Sequence, residues 1–148
     1  MHSAFRDRNI VLGITGSIAA YKACEIASRL VEYGANVTPV LTHSATQMIG
    51  PATLTAITGN PAITGLFDES ENPEIEHINV STSAHLFLVA PATANILAKA
   101  ARGAADDWLS TALLATRAPI LFAPAMNTNM YTHPATQVKL DILRARGC

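Results

Sequence analysis

The chain has 148 residues, enough for one substantial core and too few for two ordinary domains, so residues 1–148 read as a single domain. Ten basic against eleven acidic residues give a net charge of -1 with no Lys/Arg cluster, so the electrostatic footprint of a nucleic-acid binder is missing. Charged residues are 14% of the chain where about 25% is typical, and hydrophobic residues reach 49%, so a lone subunit is expected to expose apolar patches, which argues for a homo-oligomer.

Asn9–Ile14 (NIVLGI) is a short apolar run closed by glycine and predicts a buried strand. A helix follows, with Ser17 as N-cap, apolar residues Ala20, Ala23, Ala27, Leu30 and Val31 at helical spacing, and Gly34 as the stop. Cys24 falls among these alanines and reads as a small core residue. Asn36–Thr42 predicts a second strand, in which Pro39 signals an edge or a bulge. Pro51–Gly59 predicts a short helix, Pro61–Phe67 a short strand, and the acidic Asp68–Glu76 a loop, while His77–Ser83 has no decisive pattern.

Leu86–Ala90, followed by Pro91, predicts a central buried strand. Helices are expected over about 93–101 and 107–116, a further buried strand over Pro119–Ala123, and an amphipathic closing helix over Pro134–Arg146. Strands alternating with helices specify an α/β fold with a parallel sheet between helical layers, and such folds bind ligands beyond the carboxyl ends of the strands.

The loop after the first strand, Gly13–Ile18, offers a tight turn and helical N–H groups to a phosphate, although its spacing fails GxGxxG and lacks the GK[ST] of a P-loop. Thr42, His43 and Ser44 end the second strand where a dinucleotide binder places Asp or Glu, which disfavours NAD and suits a mononucleotide phosphate; plain turns are the alternative. Proline-led, amide-rich loops follow the last two strands, Pro91–Asn95 and Pro124–Tyr131. Asn95 and Asn127 either grip a heterocycle or substrate amide, or cap helices. Asp106 and Asp107 read as an N-cap and a dipole-stabilising residue rather than paired catalytic carboxylates. The histidines show no metal-ligand spacing. The first nine residues lead into no secretory leader, no run approaches the roughly 20 apolar residues of a membrane span, and only two cysteines occur, so a cytoplasmic protein is expected.

GSIAAYK (Gly16–Lys22), His77, APATAN (Ala90–Asn95), GAADDWLST (Gly103–Thr111) and PAMNTNMY (Pro124–Tyr131) together resemble the flavin-dependent cysteine decarboxylase family, in the same order and over nearly the whole chain. Tyr131 stands where the family's PxMNxxMW signature has Trp. The likeness is greatest to the branch that decarboxylates phosphopantothenoylcysteine to phosphopantetheine in coenzyme A synthesis, as one half of a bifunctional decarboxylase/synthetase.

The resemblance implies a Rossmann-like, flavodoxin-like three-layer sandwich, FMN as cofactor, and an oligomer of three or twelve subunits with FMN between them. It implies that Gly16, Ser17 and Ile18 hold the phosphate with help from Thr42 and Ser44. It implies that Thr93, Ala94, Asn95 and the Ala125 backbone line the flavin, that Asn127 holds substrate, and that His77 is the catalytic histidine. In that family the flavin oxidises the cysteine side chain, which eases loss of CO2, and then returns the electrons; the cofactor carries the hard chemistry. The family also has a cysteine in a glycine-rich flap after the last helix. The chain ends at Gly147-Cys148 before such a segment, so a C-terminally incomplete domain that stalls before reduction is expected. The alternatives are a peptidyl-cysteine decarboxylase, a prenyl-transferring relative, or a non-catalytic flavin-binding or regulatory subunit.

Overall fold

The first strand, Asn9–Ile14 (β1), has five of its six residues buried, because a central parallel strand is covered on both faces and needs apolar side chains on each. In the computed structural model, which describes residues 3–65 and 73–148 (backbone alone for 73–77), β1 pairs in parallel with Asn36–Leu41 (β2) and with Leu86–Ala92 (β3). Ile120–Pro124 (β4) pairs with β3, giving the order β2-β1-β3-β4. The chain leaves β1 toward β2 on one side and later returns to β3 on the other. That reversal opens a crevice at the carboxyl ends of β1 and β3.

Alternation along β1 divides the core. Ile10, Leu12 and Ile14 pack with Ala20, Ala23, Ala27 and Leu54, contributed by the turn after β1 and by helices Lys22–Glu32 (α1) and Pro51–Thr58 (α3); a single-turn helix, His43–Thr46 (α2), lies between β2 and α3. Val11, Phe87 and Val89 face the opposite layer. There Pro73–Ser83 (α4), Ala94–Arg102 (α5), Trp108–Ala115 (α6) and Pro134–Ala145 (α8) assemble, with the short Thr128–Thr132 (α7) before the last of them. The result is the expected three-layer α/β sandwich around a parallel sheet. Gly13 lets α6 approach β1: a Cβ there would lie 2.7 Å from Leu109 Cδ1.

Pro39 sits where its missing N–H has no consequence for the ladder. Its carbonyl accepts from Ile63 N at 2.9 Å on the outer side of β2, and Leu41 N donates to Ile63 O at 2.8 Å. Ile63 thus makes a single bridge where a short strand was expected over 61–67, of which 66–67 lie outside the described residues.

Several expectations are corrected. The helix expected from Ser17 opens as a separate 3₁₀ turn, Ile18–Tyr21, before α1 begins at Lys22. Helix α4 takes in residues 73–76, expected as loop, and the undecided 77–83; 68–72 of that loop lie outside the described residues. β3 continues through the cis Ala90–Pro91 peptide to Ala92. β4 is an edge strand rather than a buried one, with Leu121 54% exposed. Helices α2 and α7, four and five residues long, had no sequence signal long enough to register as periodic. No described helix is long and apolar enough to cross a membrane.

Candidate cofactor site

The carboxyl ends of β1, β2 and β3 converge on a cavity of about 460 Å³. Its wall includes Gly16 after β1, Thr42, His43 and Ser44 after β2, Thr93, Ala94 and Asn95 after β3, and Lys99, Asp106 and Asp107 from α5 and the turn before α6. Six of the residues singled out by resemblance, Gly16, Thr42, Ser44, Thr93, Ala94 and Asn95, are therefore neighbours in space.

Close packing makes that convergence possible. A Cβ on Gly16 would overlap the Ser44 Cβ and come within 3.1 Å of the Ser44 carbonyl carbon, so only glycine lets these two loops meet. Thr15, buried to 1% exposure, joins the first loop to the third: its hydroxyl donates to Pro91 O at 2.5 Å and accepts from Thr93 N at 3.0 Å.

Several hydroxyls at these loops serve as helix caps. Thr42 Oγ1 accepts from Ala45 N at 3.2 Å, Thr93 Oγ1 from Ile96 N at 3.3 Å, and Ser17 Oγ from Ala19 N at 3.1 Å. A hydroxyl that accepts in a cap keeps its own hydrogen, so each remains a donor. The N–H groups of His43, Ser44, Ala94 and Asn95 lie in first turns and find no hydrogen-bond partner among the described residues. The cavity thus presents hydroxyl and amide donors, the equipment for an anionic oxygen group.

At the other end Lys99 Nζ lies 2.8 Å from Asp106 Oδ1 and 3.5 Å from Asp107 Oδ2. The ammonium holds the Asp106 carboxyl below the usual carboxylate range, and the hydrogen bond it donates to Asp106 raises Lys99 above the ordinary lysine value. The expected assignment of the aspartates is corrected: Asp107 is the N-cap, accepting from Ser110 N at 2.7 Å within a capping box, and Asp106 is the partner of Lys99. The cap lies one residue later than the sequence pattern suggests, and Lys99 gains a role that the pattern does not assign. A signal existed, since Lys99 stands three residues after buried Ile96, on the inward side of α5.

Of the remaining singled-out residues, Ser17, Ile18, Ala125 and Asn127 are not on the cavity wall. Ser17 faces its own cap, and Ile18 is 86% exposed in the 3₁₀ turn beside Gly16. Ala125 N donates to Ala92 O at 3.1 Å, which ties the fourth loop to the third. Asn127 is exposed and caps α7 through Oδ1, which accepts from Asn129 N at 2.8 Å, while its NH2 hydrogens have no partner among the described residues. Met130, from the same loop, does reach the cavity. His77 lies on the backbone of α4, and its side chain is outside the described residues. Among the described residues no group of three His, Cys, Asp or Glu side chains could hold a metal.

Residues 2–148 match the family described as Flavoprotein. The chain belongs to the flavoprotein family. This flavoprotein is 47% identical over 140 residues to the coenzyme A biosynthesis bifunctional protein CoaBC of Mycolicibacterium smegmatis, covering 95% of the chain and 33% of the relative. Against the protein of the same name from Bacillus subtilis it is 45% identical over 141 residues, covering 95% of the chain and 35% of the relative. It therefore spans about a third of the length of these curated relatives. Two solved structures share the flavoprotein's architecture. The FMN-dependent cysteine decarboxylase SpaF superposes with a TM-score of 0.88 at 31% identity, covering 95% of this chain and 81% of that one. A PPC decarboxylase mutant complexed with pantothenoylaminoethenethiol gives 0.82 at 28% identity, covering 96% and 80%.

Proposed function

We propose that this flavoprotein chain binds FMN and catalyses the decarboxylation of 4'-phosphopantothenoylcysteine to 4'-phosphopantetheine in coenzyme A biosynthesis, as a cytoplasmic homo-oligomer. The observation that carries the reading is the cavity at the strand reversal, where six residues singled out by the resemblance, Gly16, Thr42, Ser44, Thr93, Ala94 and Asn95, meet although they come from three loops spread over some 80 positions. The donor set fits the cofactor. Hydroxyls of Thr42, Ser44 and Thr93 and first-turn N–H groups suit a phosphate without a dedicated cation. Ala94 presents a minimal side chain where a flat ring would lie, and the exposed Asn95 amide can both donate to and accept from a heterocycle edge.

FMN, when bound, supplies the two-electron redox chemistry that makes loss of CO2 from the cysteine accessible. The chain's own residues do the rest. Gly16 and Thr15 fix the relative positions of the loops. Asn127, whose amide hydrogens have no partner among the described residues, would hold the substrate carboxylate or amide, and the Ala125 backbone would line the flavin. His77 acts as acid, base or carboxylate partner, as an imidazole titrating near neutrality can.

The likeness to CoaBC at 47% identity supports the small phosphorylated substrate over a cysteine at the end of a peptide. The test begins with the visible absorption of the purified chain and identification of the chromophore that heat releases; near-stoichiometric FMN is expected. Release of CO2 from phosphopantothenoylcysteine, but not from a peptide ending in cysteine, is expected next, with a large loss in His77→Asn. A colourless protein that cannot be reconstituted with FMN would overturn the reading.

A further inference from the structure

Lys99 is the sole lysine or arginine among the described residues lining the cavity, and it is committed to two carboxylates. One ammonium against Asp106 and Asp107 leaves this end of the cavity with one net negative charge. That is an odd setting for a site that binds a phosphate. A lysine whose only purpose was to contact the phosphate would not be held at 2.8 Å by a carboxylate, and a lysine whose only purpose was surface solubility would not be five-sixths covered. Asp107 is fixed independently of Lys99 by the α6 capping box, whereas Asp106 is 64% exposed.

We infer that Lys99 is a charge-masking residue: it sets how tightly the cavity holds a phosphorylated ligand by screening Asp106 and Asp107, without contacting the phosphate itself. The cavity of about 460 Å³ is on the order of 8 Å across, so a phosphate anywhere in it lies within a Debye length, about 10 Å, of these charges. Each unit of charge removed or exposed there changes the attraction for a phosphate by roughly three- to tenfold in Kd at low salt. The inference rests on the flavin reading above and adds a residue that acts through its neighbours' charge.

Charge counting gives an order of affinities that a packing role would not produce. Asp106→Asn leaves no net charge at this end of the cavity and should tighten FMN binding. Lys99→Met keeps the aliphatic stem, leaves two unmasked carboxylates, and should weaken it. The double variant returns to one negative charge and should bind FMN close to the parent. Flavin fluorescence titration of the four full chains at low salt, then near 1 M salt where the Debye length is about 3 Å, reads this directly. The spread should collapse in high salt. Four equal affinities, or two weakened single variants with the double variant weakest of all, would overturn the inference; the second pattern would mark Lys99 as purely structural. Asp106→Asn, a change at a mostly exposed side chain, keeps the test decisive even if Lys99→Met fails to fold. A parent chain with no affinity for FMN at all would instead remove the flavin reading, and this inference with it.

Discussion

At the scale of single residues, the site is held by groups too small to stand out in a sequence. Thr15 has the same composition value as any other strand-end threonine, yet its one hydroxyl completes two hydrogen bonds across 76 and 78 positions of chain. Thr15→Val preserves the shape and deletes both bonds, leaving the Pro91 carbonyl and the Thr93 N–H without their partner. Each buried polar group stranded in this way costs about 1–3 kcal/mol. The urea midpoint of Thr15→Val should fall accordingly, with weaker FMN binding because the first and third loops no longer share an anchor, and Thr15→Ser should recover most of both. Parent-like stability and affinity in the valine variant would show that the loops are fixed by other means. Gly16, by contrast, was legible as a turn glycine, but the reason for it was not: the need for a hydrogen at that carbon is set by Ser44, 28 residues away. Sequence position carries residue type; it does not carry such distances.

Among elements, the joint between α5 and α6 shows how local signals fix existence better than detail. Gly103, at φ 74°, ends α5 in the left-handed conformation that favours glycine, and Ala104 N closes the turn by donating to Lys99 O at 3.0 Å. Two consecutive aspartates then offer two plausible caps, and only the geometry of the turn decides that Asp107 takes the helix and Asp106 takes Lys99. The strands were clearer, because β1 and β3 are continuous apolar runs buried on both faces. β4 misled, since the run Pro119–Ala123, PILFA, is equally apolar although β4 has a neighbour on one side only among the described residues.

The ion pair at this joint also has a pH consequence. A carboxyl held below its unfolded value contributes stability that is complete above about pH 3.9 and is lost as pH falls through the lower folded value. A lysine raised above its unfolded value contributes below about pH 10.4 and loses that contribution as pH rises further. Stability from the pair is therefore flat near neutrality and declines at both extremes. Urea midpoints from pH 5 down to pH 2 should fall less steeply for Asp106→Asn than for the parent; identical slopes would show that the pair is not maintained in solution.

For the whole molecule, the question is what covers the apolar surface that remains. Low charge content alone suggested association, and the fold shows where apolar groups are left in water. Ile18 is 86% exposed and Tyr21 61%, both in the 3₁₀ turn that follows Gly16, and Met48 and Met130 are each about half exposed. Such side chains gain about 1.5–3 kcal/mol each when fully buried. Met130 lines the cavity and Ile18 stands two residues beyond Gly16, so a partner subunit that covered Ile18 would also restrain the Gly16–Ser17 segment, and association would support cofactor binding. The purified chain should therefore sediment at a multiple of its 15.6 kDa subunit mass. Ile18→Asp should shift the distribution toward single subunits, and FMN should dissociate more readily from that variant than from the parent. A parent chain that sediments as a 15.6 kDa species while retaining FMN would separate the two properties and leave the exposed turn without a subunit partner.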